Sequence, residues 1–126
     1  MQDRIRCGVE ATVGVISGKW KPLILHSLFY EGTQRFNALL RKTGAPRQAL
    51  TVQLRELERD GVLSRQVFAE VPPRVEYSLT ERGRELGPVL LGMLKWGERF
   101  EAERRAARSA EGEAQLPPSS GEQEAE

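Results

Sequence analysis

The sequence has few of the residues that metal sites, disulfides and membrane spans require. It contains one cysteine and one histidine among 126 residues. An intrachain disulfide is therefore impossible, and a structural zinc site, which usually takes four such ligands, cannot form. No apolar run approaches the roughly 20 residues of a membrane span, and the N-terminal residues lack the apolar core of a secretory signal. We expect a cytoplasmic chain without a cofactor or membrane anchor.

Motifs of the common enzyme classes are absent as well. The sequence contains no glycine-rich phosphate loop, no paired carboxylates in a defined motif and no metal-binding cluster. A cysteine–histidine dyad would have to combine Cys7 with His26, and nothing in the pattern brings these two residues together. A lone histidine on a helix is more often structural than catalytic. We therefore do not expect an enzyme.

Charge is distributed unevenly along the chain. The formal net charge is +1, but residues 111–126 hold five glutamates and no lysine or arginine. Without these glutamates, 19 basic residues face 13 acidic ones, which gives a net charge of +6. Residues 32–55 contain no acidic residue and five basic ones, namely Arg35, Arg41, Lys42, Arg47 and Arg55. Such a segment is a candidate surface for phosphate groups. The alternative is an ordinary solvated cationic face.

The spacing of apolar residues predicts four helices, a β-hairpin and a long terminal helix. Helical spacing gives way after Gly61 to the period of two that is typical of strands. The predicted helices cover residues 9–16, 19–30, 34–42, 46–59 and 81–107, and the predicted strands cover residues 62–69 and 75–79. We expect a kink in the last helix at Gly87-Pro88.

A tight turn with Gly44 and Pro46 joins the third and fourth predicted helices. Two helices joined in this way are the signature of a helix-turn-helix, and the hairpin that follows, with Pro72 and Pro73 at its tip, is a wing. The predicted fold class is therefore mainly α with a small β-hairpin wing, a winged helix-turn-helix. The predicted parts are an N-terminal arm (1–6), a winged domain with a terminal dimerisation helix (7–108) and a disordered acidic tail (109–126).

The fourth helix carries a polar face opposite its leucine stripe. If the leucines face the core, a turn of about 100° per residue fixes which side chains point outward. The outward set is Arg47, Gln48, Thr51, Val52, Arg55 and Arg59. A recognition helix presents such residues to the major groove, where arginine can bind guanine and glutamine can bind adenine. Arg55 and Arg59 lie further along and would contact phosphates. The alternative is the polar face of any amphipathic helix.

The wing contributes Arg74, which follows the two prolines of its tip. A stiff tip with one arginine suits insertion into an A·T-rich minor groove or contact with the flanking backbone. Arg65 on the preceding strand is a weaker candidate for a phosphate contact. The alternative is a hairpin that only faces solvent.

Six motifs resemble those of the HxlR family of winged helix-turn-helix regulators. They are CGVEAT (7–12), GKWKPLIL (18–25), RFN (35–37), LRELERDG (54–61), VPPRVEYSLT (71–80) and KWG (95–97). The resemblance implies a homodimeric transcriptional regulator that binds duplex DNA at a pseudo-palindromic operator. It also implies that electrophiles, oxidants or small metabolites act as effectors.

The same resemblance implies which residues face DNA. Matching positions are Arg47, Gln48, Thr51, Gln53 and Arg74. Two positions depart from the family pattern. Pro46 stands where the family often has a serine N-cap, and Val52 stands where a polar residue is common, so the base preference stays open. Repression is the default expectation for a small regulator, since it needs only to occlude a promoter.

The last predicted helix has an apolar stripe that is wide for one small domain. Its members are Leu86, Val89, Leu90, Met93, Leu94, Trp96, Gly97 and Phe100. A partner helix would bury such a stripe, and two-fold DNA sites favour two-fold proteins. We therefore expect a homodimer through this helix. The alternative is a helix that packs only on its own domain, and Trp20 and Trp96 could also line an effector pocket.

Cys7 has two interpretations. A lone cysteine is usually a small buried apolar group, but a neighbouring cation such as Arg6 and a nearby helix N-terminus would make it more reactive. The resemblance implies that thiol sensors of the family use a cysteine near this place. With no second cysteine, the signal would be a bridge between two copies of Cys7, a mixed disulfide or adduct, or a sulfenic acid.

Two other function classes stay open for the folded domain. Some winged helices bind proteins, and a regulator of this type can respond to a small molecule instead of an oxidant. DNA binding weakens steeply as salt rises, because neutralised phosphates release counterions. A salt-insensitive interaction would therefore favour the protein-binding alternative.

Overall fold

The computed structural model describes the backbone of residues 2–115 and the side chains of residues 6–112. Its elements are α1 (Gln2–Ile16), α2 (Lys21–Glu31), β1 (Gln34–Arg35), α3 (Phe36–Thr43), α4 (Arg47–Arg59), β2 (Leu63–Phe68), β3 (Arg74–Leu79), α5 (Glu81–Arg84) and α6 (Gly87–Gln115). The chain divides into two units, of which one ends at Leu90 and the other begins at Leu91 within α6. The helix, helix-turn-helix and hairpin order confirms the predicted winged helix-turn-helix.

The core of the first unit is formed by aliphatic residues from α2, α3, α4 and the sheet. Its most completely buried side chains are Ile24, Leu25, Leu39, Leu50, Leu54, Leu57 and Leu63. Each such burial stabilises the fold by about 1.5–3 kcal/mol. Three of these leucines are the predicted stripe of α4, so the prediction of its inner face is confirmed.

The sheet has three antiparallel strands in the order β1-β3-β2. The hairpin of β2 and β3 was predicted, but β1 was not, since residues 34–42 were assigned to one helix. In β1, Gln34 pairs with Tyr77 and Arg35 pairs with Glu76. The carboxamide of the buried Gln34 donates to the carbonyl oxygen of Ser27 at 3.0 Å. Pairing and this hydrogen bond hold Gln34 in the sheet, so α3 begins only at Phe36.

The two ends of the folded part extend further than predicted. Residues 2–6, expected as an arm, belong to α1, where Arg6 pairs with Glu10 one turn later at 3.2 Å. At the other end, α6 continues to Gln115. The expected disordered tail therefore overlaps a helix over residues 109–115, and its remaining residues, 116–126, lie outside the described part of the chain.

The predicted last helix is broken in two, not kinked. A short helix, α5, begins after Thr80, whose hydroxyl accepts a hydrogen bond from the backbone N–H of Gly83 at 3.1 Å. The long helix α6 then begins at Gly87. A Cβ atom at Gly87 would lie 2.1 Å from the ring of Phe29, so glycine permits the close approach of α2 at this point.

Candidate nucleic-acid interface

The turn between α3 and α4 presents the start of α4 to solvent. Gly44 ends α3 in the left-handed conformation at φ 72°, and its N–H donates to the carbonyl oxygen of Leu40. Only glycine adopts this conformation without strain. Pro46 then precedes α4 in an extended conformation at φ −61°, and Arg47 and Gln48 follow as exposed residues.

The outer face of α4 carries most of the side chains predicted to meet DNA. Arg47, Gln48 and Arg55 are exposed, and Val52 is 44% exposed. Thr51 is half-buried, and its hydroxyl donates to the carbonyl oxygen of Arg47 at 3.0 Å. Its methyl group is therefore the part of Thr51 that could contact a base.

A groove of about 470 Å³ lies between α4 and the wing. Arg47 and Arg55 from α4 and Arg65 from β2 line it, together with Glu58 and several uncharged side chains. The guanidinium carbon of Arg47 lies 5.2 Å from the centre of the Phe36 ring, which holds this arginine against the side of the groove. Three arginines around one groove create a positive field that suits a phosphate backbone.

The basic segment before α4 is only partly free for phosphates. Lys42 pairs with Glu31 and donates to the carboxamide oxygen of Gln34 at 2.8 Å. Arg41 is exposed on α3, and Arg35 is exposed on the edge strand β1 opposite Glu76. Arg35 stays a candidate contact, and its neighbouring carboxylate weakens the local positive potential.

Gln53 does not belong to the outer face of α4. It is half-buried, and its Oε1 accepts a hydrogen bond from the backbone N–H of Trp20 at 3.2 Å. This corrects its assignment to the DNA-facing set, which came from the family resemblance alone. The helical spacing already contained the signal, because Gln53 lies three residues after Leu50 and four before Leu57 on the inner side.

Arg74 is not the free cation that was expected near the tip of the wing. Its guanidinium pairs with Glu70 at 3.1 Å and with Glu76 at 3.2 Å, and its carbon lies 3.9 Å from the centre of the Phe68 ring. Only a quarter of the side chain is exposed. The exposed tip itself, residues 69–73, carries no basic side chain, and its one charged residue is Glu70. The structure therefore corrects the expectation of an arginine that is ready to enter the minor groove.

The predicted dimer stripe contains two residues that serve the core. Leu90 is buried within the core of the first unit, and Leu86 is half-buried against it. Leu90 is therefore a core residue, whereas an interface role for the half-buried Leu86 stays a prediction. Val89 is 40% exposed.

Within the second unit, the apolar members of the stripe stay exposed. The exposed fractions are 44% for Met93, 39% for Leu94, 59% for Trp96 and 41% for Phe100, and Gly97 is half-buried. The rings of Trp96 and Phe100 stack with their centres 5.0 Å apart. These side chains form an apolar surface on one helix that is available to a partner.

Val9 and Val13 on α1 form a second exposed apolar pair, which the sequence pattern indicated only as part of a helical stripe. Val9 and Val13 on α1 are 57% and 50% exposed, and only Ile16 of the same stripe is buried. Their spacing of four residues places them on one side of α1. The spacing alone could not show that this side lacks a covering element.

The remaining candidate residues are placed as follows. Cys7 is an exposed free thiol on α1, and the ring of His26 lies 4.6 Å from that of Tyr30. Trp20 packs against the core. The described residues contain no group of three side chains that could hold a metal ion. No helix within residues 2–115 is both long and apolar enough to cross a membrane.

Comparisons with known proteins agree with this geometry. The model of the HxlR-like helix-turn-helix family matches residues 15–105. The HTH-type transcriptional regulator YdeP of Bacillus subtilis, itself uncharacterised, is 50% identical over 109 residues, which are 83% of this chain and 84% of that protein.

Solved structures extend the similarity to three dimensions. The redox regulator HypR in its reduced form has a TM-score of 0.73 and 45% identity, over 79% of this chain and 98% of HypR. Its oxidised form has a TM-score of 0.68 and 49% identity, over 74% of this chain and 96% of HypR. Sequence and fold therefore point to the same group of regulators.

Proposed function

Because this chain belongs to the HxlR-like helix-turn-helix family of transcriptional regulators, we propose that it binds a specific duplex operator through α4. The observation that carries the proposal is the exposed face of α4, which begins with Arg47 and Gln48 and borders a groove with three arginines. Residues at the start of a recognition helix reach base edges in the major groove. The groove beside them suits the adjacent sugar–phosphate backbone.

Different residues of this face have different roles. Gln48 is proposed to read adenine, and Arg47 is proposed to read guanine or to bind the neighbouring phosphate. Val52 and the methyl group of Thr51 can contact a thymine methyl group. Arg55 and Arg65 bind phosphates, which position the protein without reading sequence. Arg35 and Arg59 extend the positive surface on either side.

We further propose that the protein acts as a homodimer on a pseudo-palindromic operator. The exposed apolar side chains of α6, with Met93 and Trp96 at their centre, support this arrangement because they would lose contact with water on association. Val9 and Val13 on α1 add a second exposed apolar surface that a partner subunit could cover. Occlusion of a promoter would make such a dimer a repressor, and we propose that it acts in the cytoplasm.

Cys7 is proposed as the site of redox regulation. Two observations support this role: its thiol is exposed, and the similar protein HypR is a redox regulator solved in reduced and oxidised forms. In the simplest reaction, the thiols of two copies lose two protons and two electrons to an oxidant such as a peroxide. One sulfur–sulfur bond forms between the subunits, and the peroxide is reduced to water or an alcohol and water. A mixed disulfide or a sulfenic acid at Cys7 are the other products open to a lone thiol.

The redox proposal has a direct test. Operator affinity is measured before and after peroxide treatment, for the wild type and for Cys7→Ser. The proposal predicts a change of affinity in the wild type that reverses with a thiol reductant and is missing in the variant. An equal response of both proteins contradicts it and favours an effector that acts elsewhere.

A further inference from the structure

The inner flank of α4 contacts the start of α2 through polar side chains. We propose that Gln53 is a positioning residue that, together with the Lys21–Glu56 ion pair, sets the orientation of α4 for DNA and does not itself touch DNA. We call the Gln53–Trp20 hydrogen bond and the Lys21–Glu56 ion pair the α2–α4 anchor. The proposal rests on the proposed function, because it concerns the helix assigned to DNA.

The first contact of the anchor supplies a cap that α2 lacks. Trp20 precedes α2, and no side chain within α2 caps it. Helix N-termini leave backbone N–H groups without partners. In a capping box, a Glu or Gln three residues into the helix bonds the N–H of the N-cap residue. Here the backbone N–H of Trp20 donates to Oε1 of Gln53 in α4 at 3.2 Å, so the residue that caps α2 belongs to another helix.

The second contact of the anchor is an ion pair between the same two helices. Lys21 is the first residue of α2, is buried, and places its Nζ 2.7 Å from Oε1 of Glu56. A cation in the first turn of a helix is opposed by the helix dipole, and a buried cation needs a partner. Glu56 meets both requirements. It lies three residues after Gln53, so both contacts use one flank of α4.

Gly18 provides the space for the anchor. Its φ of +131° is a conformation that other residues rarely adopt, and a Cβ atom there would lie 3.3 Å from Oε1 of Gln53. The backbone between α1 and α2 therefore passes directly over the Gln53 carboxamide. This close approach keeps the acceptor oxygen next to the N–H of Trp20.

The anchor matters for DNA because the leucine stripe fixes which face of α4 is buried but holds the helix less tightly against small rotations and sliding than polar contacts do. The hydrophobic effect depends on buried area, whereas hydrogen bonds require a defined distance and angle. The leucines of α4 therefore hold the helix in the core, and the anchor limits its rotation and sliding. If the anchor is lost, a smaller fraction of molecules has α4 in the binding orientation, and the apparent association constant falls in proportion to that fraction.

One pair of matched substitutions separates positioning from contact. Gln53→Glu keeps the acceptor oxygen for Trp20 and adds a negative charge at the N-terminus of α2, where the dipole favours it. Gln48→Glu makes the same change of charge on the exposed face. The probe is a short duplex that the wild type selects from a random library, with an unrelated duplex as reference. We expect Gln53→Glu to bind within about threefold of the wild type and Gln48→Glu to lose on the order of tenfold or more.

A third substitution removes the anchor contact itself. Gln53→Ala should lower affinity for the selected duplex on the order of tenfold, as one hydrogen bond is lost, while the order of base preferences stays unchanged. Hydrogen exchange of the Trp20 amide should accelerate in Gln53→Ala and return to the wild-type rate in Gln53→Glu. Free energies of unfolding show whether each variant is folded under the binding conditions.

Each outcome decides between the proposals. If Gln53→Glu loses as much affinity as Gln48→Glu, Gln53 faces DNA and the positioning role is wrong. Wild-type affinity in Gln53→Ala also overturns it. If the wild type selects no duplex from the library, the proposed function fails, and the role of the anchor in DNA binding fails with it.

Discussion

The guanidinium carbon of Arg74 lies 3.9 Å from the centre of the Phe68 ring, directly across the wing hairpin. Glu70 and Glu76 hold the same guanidinium from two other directions. Arg74 thus ties the loop to both strands of the wing, and its charge is largely neutralised within the hairpin.

We predict that Arg74→Gln lowers the free energy of unfolding by about 1–2 kcal/mol, the sum of two modest, partly exposed ion pairs and one cation–π contact. Urea unfolding measures this change. Arg65→Gln is the matched control on the neighbouring strand. It should leave stability unchanged and weaken DNA binding, because Arg65 lines the groove beside α4. A stable Arg74→Gln protein with a specific loss of DNA affinity would instead restore the original assignment of Arg74 to the minor groove.

Gly83 in α5 lies against the backbone of Val62, the residue immediately before strand β2. A Cβ atom at this position would be 2.0 Å from the carbonyl oxygen of Val62, and backbone cannot move aside as a flexible side chain can. We predict that Gly83→Ala destabilises the protein by at least about 2 kcal/mol. Gly14→Ala, in the exposed interior of α1 with nothing within 4 Å, should stabilise it by roughly 0.5–1 kcal/mol. Thermal unfolding of both variants checks the pair, and equal effects would contradict it.

Acid should weaken the contact between α2 and α4. The hydrogen bond from Lys21 and its positive charge hold the pKa of Glu56 below its usual value. A carboxyl group with a lowered pKa stabilises the fold above its ordinary pKa, and this contribution is lost as the pH falls through the lowered value. The free energy of unfolding should therefore drop more steeply on acidification in the wild type than in Glu56→Gln. Parallel curves for the two proteins would show that the ion pair does not contribute.

Dimerisation should depend on the apolar side of α6. Leu94 and Lys95 are adjacent and exposed, but only Leu94 lines the groove that Met93 and Gly97 share with the charged side chains of the next turns of α6. We predict that Leu94→Glu shifts the protein to a monomer, because it would bury an unpaired carboxylate in the dimer interface. Lys95→Glu should leave the dimer intact, because Lys95 lies outside that interface. Light scattering after size-exclusion chromatography measures the masses. A monomeric wild type would contradict the proposed homodimer.

Sequence patterns predicted the parts of the fold that depend on residues close together in the chain. The spacing of Leu50, Leu54 and Leu57 was sufficient for the inner face of α4, and Gly44 with Pro46 was sufficient for the turn before it. The two-residue strand β1 could not be predicted, because its pairing with Tyr77 and Glu76 joins distant parts of the chain. The end of α6 was also missed: the predicted helix stops at residue 107, whereas α6 continues to Gln115, because polar residues alone do not show where a helix ends.

The candidate site shows the same division between local and distant information. Arg47, Gln48 and Arg55 were placed outward by the helical turn, and the structure leaves them exposed. Gln53 and Arg74 were assigned from their positions in a family pattern or a loop. Their partners, Trp20 and Phe68, could be identified only from the folded chain.

The salt dependence of duplex binding tests the central claim most directly. Affinity for the selected duplex is measured over a range of salt concentrations for the wild type and for Arg55→Gln. If α4 and its groove bind DNA, the logarithm of the affinity falls steeply with the logarithm of salt. Because the proposed dimer loses one Arg55 phosphate contact in each subunit, the slope becomes shallower by about 2 in Arg55→Gln. A wild-type affinity that does not change with salt, or an identical slope in the variant, would contradict the assignment of this face to DNA.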